Sequence, residues 1–179
     1  VEFREVTKTR VLPEKLWATT GWSPESKRPR AVVNSLYITT EELDTLNQRL
    51  QKRYKEIQDK EILVEEYQTE GAEVILCAYG TVARICKSAV ELLKKEGVKA
   101  GLIRPITLWP FPADTIRKAV SQSSVKHVLT VEINAGQMLD DVRIAAAGIK
   151  DVSFFGRPGS YVPSPEEICE TVLRMRRAK

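Results

Sequence analysis

From residue 72 onward the apolar positions switch between two periods. Val74-Ile75-Leu76-Cys77-Ala78-Tyr79 is a continuous apolar run, the pattern of a strand covered on both faces. After the turn at Tyr79-Gly80-Thr81, the residues Val82, Ile85, Cys86, Ala89, Val90 and Leu93 recur at helical spacing, and Gly97 stands where a left-handed residue ends a helix. Val98 to Arg104 predicts the next strand. Strand, helix and strand together take about thirty residues, as a parallel crossover requires. Pro105, Pro110 and Pro112 stiffen a loop before a helix near Ala113–Val120. A third strand is predicted over Lys126 to Ile133, a third helix from Gln137 to Ala147 with Gly148 beyond it, and a short strand at Val152-Ser153-Phe154-Phe155. Ser164-Pro165-Glu166-Glu167 combines a cap, a proline in the first turn and a capping-box glutamate. The last helix then buries Ile168, Cys169, Val172 and Leu173. Strands alternating with helices over short links predict an α/β fold: three layers, α/β/α, doubly wound around a mostly parallel sheet.

The residues before this unit read differently. Thr39 and Glu42 have capping-box spacing, and Leu43, Leu46, Leu50, Tyr54 and Ile57 form a narrow apolar stripe. That predicts a helix to about residue 60, lying across a surface instead of inside a core. Residues 1–40 carry Pro13, Pro24, Pro29, Gly21, Trp17 and Trp22 without a sustained period. The run from Ser23 to Arg30 reads as an exposed, kinked loop. Two indoles in a segment with no core of its own either fold back on the domain or pack on something outside this chain. The expected organisation is an N-terminal arm or linker over 1–40 and a single globular domain over 41–179. The opening Val1-Glu2-Phe3, without methionine, leads to the expectation that the sequence is a piece of a longer polypeptide whose preceding part is a cofactor domain.

Composition narrows the function classes. The chain has 179 residues, 42% hydrophobic and 29% charged, the profile of a folded domain. No run approaches the ~20 apolar residues of a membrane span, and no signal segment opens the chain. Cys77, Cys86 and Cys169 form no C-x-x-C pair and no disulfide framework, which fits a reducing, cytoplasmic setting. Net charge is +4, too mild to name a partner. The basic tail Arg174, Arg176, Arg177 and Lys179 lacks interleaved aromatics, so it reads as a solvated helix end, not a nucleic-acid patch.

In open parallel sheets ligands sit beyond the carboxyl ends of the strands. That rule selects Tyr79, Gly80 and Thr81, then Arg104, then Glu132, Asn134, Gly136 and Gln137 as a candidate rim. The last group sets a carboxylate, an amide and a glycine just ahead of a helix start, where free amides favour an anion. The simpler reading is that Asn134 caps the helix and Glu132 pairs with a cation such as Arg104. One glycine in the first turn, with no G-x-G-x-x-G and no P-loop pattern, argues against a dinucleotide or nucleotide site. The cysteines fall on apolar faces and read as structural thiols; His127 has no matched nucleophile and reads as a surface residue; Asp140 and Asp141 suit the dipole at the start of a helix. No catalytic residue and no metal site emerge, which points to a supporting domain.

Several segments resemble one family. Leu102-Ile103-Arg104-Pro105-Ile106-Thr107-Leu108-Trp109-Pro110-Phe111-Pro112 is similar to the segment after the second strand in the α subunit of 2-oxoacid:ferredoxin oxidoreductases. Val131-Glu132-Ile133-Asn134-Ala135-Gly136-Gln137-Met138, followed by Asp141-Val142-Arg143, resembles the family's third-strand segment, and Ala78-Tyr79-Gly80-Thr81 its first turn. The helix over Glu41–Glu61 and the stretch from Trp17 to Gly21 fit in order, and the resemblance is greatest to the 2-oxoisovalerate type, with the 2-oxoglutarate type as the alternative. The resemblance implies a complex that converts a 2-oxo acid, coenzyme A and oxidised ferredoxin into acyl-CoA, carbon dioxide and reduced ferredoxin. It implies thiamine diphosphate, magnesium and iron–sulfur clusters in that complex, none of them bound by this part, and other subunits as partners, with ferredoxin and coenzyme A met through the complex. The region is similar to the transketolase C-terminal-like domain, so the isolated chain is expected to be inactive, a non-catalytic domain. Trp17, Trp22 and the rim residues are then interface candidates, with no role for nucleic acid or membrane. Two alternatives stand beside it: an independent small-ligand or anion-binding module using the Gly136 helix start, and the equivalent domain of a transketolase or 2-oxoacid dehydrogenase.

Overall fold

A computed structural model describes residues 15–159 and 161–178. The chain divides into two compact units, one up to Leu50 and one from Gln51 onward. Its elements are α1 (Thr40–Lys60), β1 (Val64–Tyr67), β2 (Val74–Cys77), α2 (Gly80–Lys95), β3 (Ala100–Pro105), α3 (Ala113–Val120), β4 (His127–Glu132), α4 (Gln137–Ala146), β5 (Val152–Gly156) and α5 (Pro165–Arg177). Among the described residues no helix is long and apolar enough to cross a membrane.

The second unit is the α/β/α sandwich that the periodicity predicts. Its five strands lie in the order β1-β3-β2-β4-β5, and β2, β3, β4 and β5 are mutually parallel. Side chains alternate across the sheet, so each strand feeds two cores. Leu76, Leu102, Leu129 and Val131 pack with Val82, Cys86, Val90 and Leu93 of α2 and with Ile168, Cys169 and Val172 of α5. Ile75, Cys77, Ile103 and Val128 pack with Ile116 and Val120 of α3 and with Met138, Val142 and Ala146 of α4. The predicted ends hold as well. Gly97 and Gly148 take left-handed φ beyond α2 and α4, and Ser164 with Glu167 forms the full capping box on α5, with proline in its first turn.

One strand departs from strict alternation. β1 is short, half polar and antiparallel to β3, with Val64 opposite Pro105 and Tyr67 opposite Leu102. Its sequence, Val64-Glu65-Glu66-Tyr67, carries neither of the two patterns read above, because an edge strand needs only one covered face. The sheet is therefore mixed at this edge.

Thr130, in the interior strand β4, is fully buried, and its hydroxyl is one of two buried side-chain polar atoms without a hydrogen bond among the described residues. A buried hydroxyl that gave up water without a partner costs free energy, whereas an apolar group of the same shape does not. Thr130→Val is expected to raise stability by about 1 kcal/mol, read as a higher urea midpoint with an unchanged slope.

The unit up to Leu50 is built differently. Arg28 donates to the carbonyls of Leu16, Ala18 and Thr20, gathering the loop around one guanidinium. Trp22 is held inside this loop: its indole N–H donates to the Arg28 carbonyl, and Arg30 lies 4.6 Å from its ring centroid. Trp17, by contrast, is 71% exposed. At the start of α1 the Glu42 amide donates to Thr39 Oγ1, and α1 buries no residue, as its narrow stripe predicts.

Candidate functional site

The strand order defines where a site can form. From β2 the chain moves outward to β3, then returns past β2 to β4 on its other side. The helices that follow, α2 and α4, cover opposite faces. The carboxyl ends of β2 and β4 therefore flank the switch-point crevice of a doubly wound sheet. Tyr79, Gly80 and Thr81 leave β2 there, and Ile133 to Gly136 leave β4.

Three side chains fill that crevice. Glu132 is 1% exposed. Its Oε2 accepts from the Met138 amide at 3.0 Å and its Oε1 from the Leu139 amide at 3.0 Å, so one carboxylate takes two first-turn amides of α4. Asn134 Oδ1 accepts from the amides of Gly136 (2.7 Å) and Gln137 (3.3 Å), and its Nδ2 donates to Glu132 Oε2 and to the Tyr79 hydroxyl. Gly136 takes φ +101°, and a Cβ there would lie 3.1 Å from Leu139 Cδ2, so the turn that brings Asn134 and Glu132 under the helix needs glycine. The anion that the helix start favours is supplied by the chain itself. Asn134 takes the first amide of α4 as a cap would, Glu132 takes the next two, and the Gly136 helix start is not open to an outside anion, which corrects the anion-binding expectation.

Arg104 lies elsewhere, and the expected Arg104–Glu132 pair does not form. Cys77 is in register with Ile103 on one side and with Thr130 on the other. Arg104 thus shares a row with Val131, and Glu132 is one residue out of step, on the opposite face. Arg104 pairs with Glu65 Oε2 at 3.1 Å, and Glu65 also bonds Lys87. The Lys87 ammonium, aided by Arg104, holds the Glu65 carboxyl below the usual glutamate range against the opposing effect of burial. The stability this contributes is present above that range and is lost as pH falls through the lowered folded value. Lys87→Met is expected to move the Glu65 titration up, followed by carboxyl-carbon NMR.

Of the residues selected from sequence, Tyr79, Glu132, Asn134, Gly136 and Gln137 come together. Gly80 and Thr81 open α2 and are exposed; Arg104 sits on the other face; Trp17 and Trp22 belong to the unit up to Leu50. The Glu65–Lys87–Arg104 cluster was not legible, since β1 was not.

The cysteines present do not fit an iron–sulfur cluster. Burial pushes the thiols of Cys77 and Cys86 up to about 12, away from the thiolate that a cluster requires. Among the described residues no three His, Cys, Asp or Glu side chains are placed to hold a metal ion.

Residues 72–168 match the family model of the pyruvate:ferredoxin oxidoreductase core domain II, more than half of the chain. The chain belongs to this family. The core domain II match starts just before β2 and ends inside α5, so it takes in the switch-point crevice and the Glu132 turn. The chain is 36% identical over 89% of its length to the ketoisovalerate oxidoreductase subunit VorB of Methanothermobacter thermautotrophicus, covering 44% of that protein. It is 37% identical over 64% of its length to the 2-oxoglutarate synthase subunit KorA of the same organism, covering 30% of it. In fold it resembles a 2-oxoglutarate:ferredoxin oxidoreductase from Magnetococcus marinus, with a TM-score of 0.66 and 19% identity over 88% of this chain and 30% of that one. The chain thus spans less than half the length of these relatives.

Proposed function

We propose that this chain is a non-catalytic assembly domain of the α subunit of a cytoplasmic, thiamine-diphosphate-dependent 2-oxoacid:ferredoxin oxidoreductase, with 2-oxoisovalerate as the substrate. The observation that carries the reading is the fate of Glu132: this fully buried carboxylate at the rim is engaged by the amides of α4 and by Asn134, which supports a structural role over proton transfer. Membership of the core domain II family supplies the enzyme class. The substrate rests on the longer match to the ketoisovalerate subunit than to the 2-oxoglutarate subunit. In this reading the reaction forms acyl-CoA, carbon dioxide and reduced ferredoxin from a 2-oxo acid, coenzyme A and oxidised ferredoxin. Thiamine diphosphate, magnesium and the clusters are held by other parts of the complex, and residues 1–40 are the arm leading from an upstream cofactor domain into the domain over 41–179. The test is a pair of measurements. Thiamine diphosphate with magnesium, titrated into this chain by calorimetry, should give no saturable micromolar binding. The assembled enzyme should reduce ferredoxin faster with 2-oxoisovalerate than with 2-oxoglutarate or pyruvate. Micromolar binding overturns the non-catalytic role; a preference for 2-oxoglutarate or pyruvate overturns the substrate.

A further inference from the structure

The two ends of the sheet differ in chemistry. At the amino ends of the parallel strands stand Lys94, Lys99, Lys126, Lys150, Arg176 and Arg177, in the loops before the strands and the last turns of α2 and α5. At the carboxyl ends stand exposed apolar side chains. Ile106, Leu108 and Trp109 follow β3, Ile133 follows β4, and Leu63 enters β1, which runs antiparallel and so begins at this same end. Leu63, Ile106 and Trp109 are each more than half exposed. Among the described residues beyond 50, Ile144 is the exposed large apolar residue that lies at the other end, in the last turn of α4.

This end is also firmly built. The amides of Ile106 and Thr107 donate to the Leu63 carbonyl, and the Leu63 amide donates to Thr107 Oγ1. The Thr107 hydroxyl donates to the Pro110 carbonyl, and Tyr54 meets the Trp109 ring edge-on at 5.7 Å. A fixed cluster of large apolar side chains at one end of a domain marks an interaction face. Preorganised loops lower the ordering cost of docking.

We infer that this face docks the further domain that the longer relatives carry in the same polypeptide. The length of chain decides the occupant. The match covers 44% of the ketoisovalerate subunits, so more than half of each lies outside it, enough for another domain. A domain tethered to this one is present at high effective concentration and needs only a modest apolar face to stay docked. The inference rests on the reading of this chain as one part of a larger subunit. Its test reads a contact and not turnover, so it can fail while the enzymatic assignment stands.

The experiment uses the assembled enzyme, with p-benzoylphenylalanine in place of Leu108 or, as a control, of Ile144. Irradiation and peptide mapping should join position 108 to residues of the same polypeptide outside these 179, while position 144 gives no such product. In the unsubstituted enzyme, hydroxyl-radical footprinting should find Trp109 protected and Ile144 labelled. Cross-links from position 108 to a second copy or to a different subunit overturn the inference. So does the absence of any cross-link, or a Trp109 that is labelled freely.

Discussion

Glu132→Ala is expected to destabilise the fold by about 3–5 kcal/mol, among the largest effects of any single side chain in the molecule. The substitution leaves the buried amides of Met138 and Leu139 without an acceptor and removes the carboxylate that holds Asn134. Hydrogen bonds to a carboxylate contribute about 1.5–3 kcal/mol each, and an orphaned buried donor costs about 1–3 kcal/mol. Glu132→Gln keeps one acceptor oxygen but turns an amide group toward the other N–H, so roughly half the loss is expected. Urea unfolding of both variants checks the ordering. A Glu132→Ala protein within 1 kcal/mol of the parent, as is usual for about any exposed site, would show that water or a neighbour replaces the carboxylate. In the assembled enzyme Glu132→Gln should lower the yield of complex while turnover per complex stays near that of the parent. A fall of about a hundredfold or more with assembly intact would make Glu132 an acid–base group.

Gly101→Ala is the second large effect. Gly101 lies in β3 where the chain leaving β1 crosses over it, and a Cβ there would stand 2.6 Å from the Gln68 carbonyl oxygen and 2.7 Å from Thr69 Cα. Both are backbone atoms, so no side-chain rotation relieves the clash. Gln68 itself has φ +52°, a left-handed conformation that leaves it little room to shift. The expected cost is about 3 kcal/mol, with lost amide protection concentrated in β1 and the end of α2, where Tyr67 and Gln68 both bond Glu91. A variant as stable as the parent would mean that β1 adjusts freely at the edge.

How much of this was legible beforehand depended on whether one segment carried the information. α2 and α5 announce themselves through helical spacing and, for α5, through Ser164, Pro165 and Glu167. β2 does so through an unbroken apolar run. β1 does not, because Val64-Glu65-Glu66-Tyr67 is stabilised by partners and not by its own pattern. The position of the candidate site was readable from strand ends alone. Its wiring was not. Whether Arg104 meets Glu132 is decided by pairing register, a property of two strands and the one between them, and Cys77 sets it by lying beside both Ile103 and Thr130. The same holds for Tyr79 and Asn134, fifty-five residues apart and joined by one hydrogen bond.

The place of α5 bears on how the protein is made. One whole side of the sheet is covered by α2 together with α5, which contributes Ile168, Cys169 and Val172, and Arg176 reaches Glu73 just ahead of β2. Within this unit a ribosome delivers β2 and α2 before α5. Throughout synthesis of everything between them, Val82, Cys86 and Val90 wait half-covered, a sticky surface on a nascent chain. A premature stop before Pro165 would strand the product in that condition, folded in most of its strands and prone to clump. The thirteen-residue helix α5 thus acts as the closing seal over this side of the unit's core.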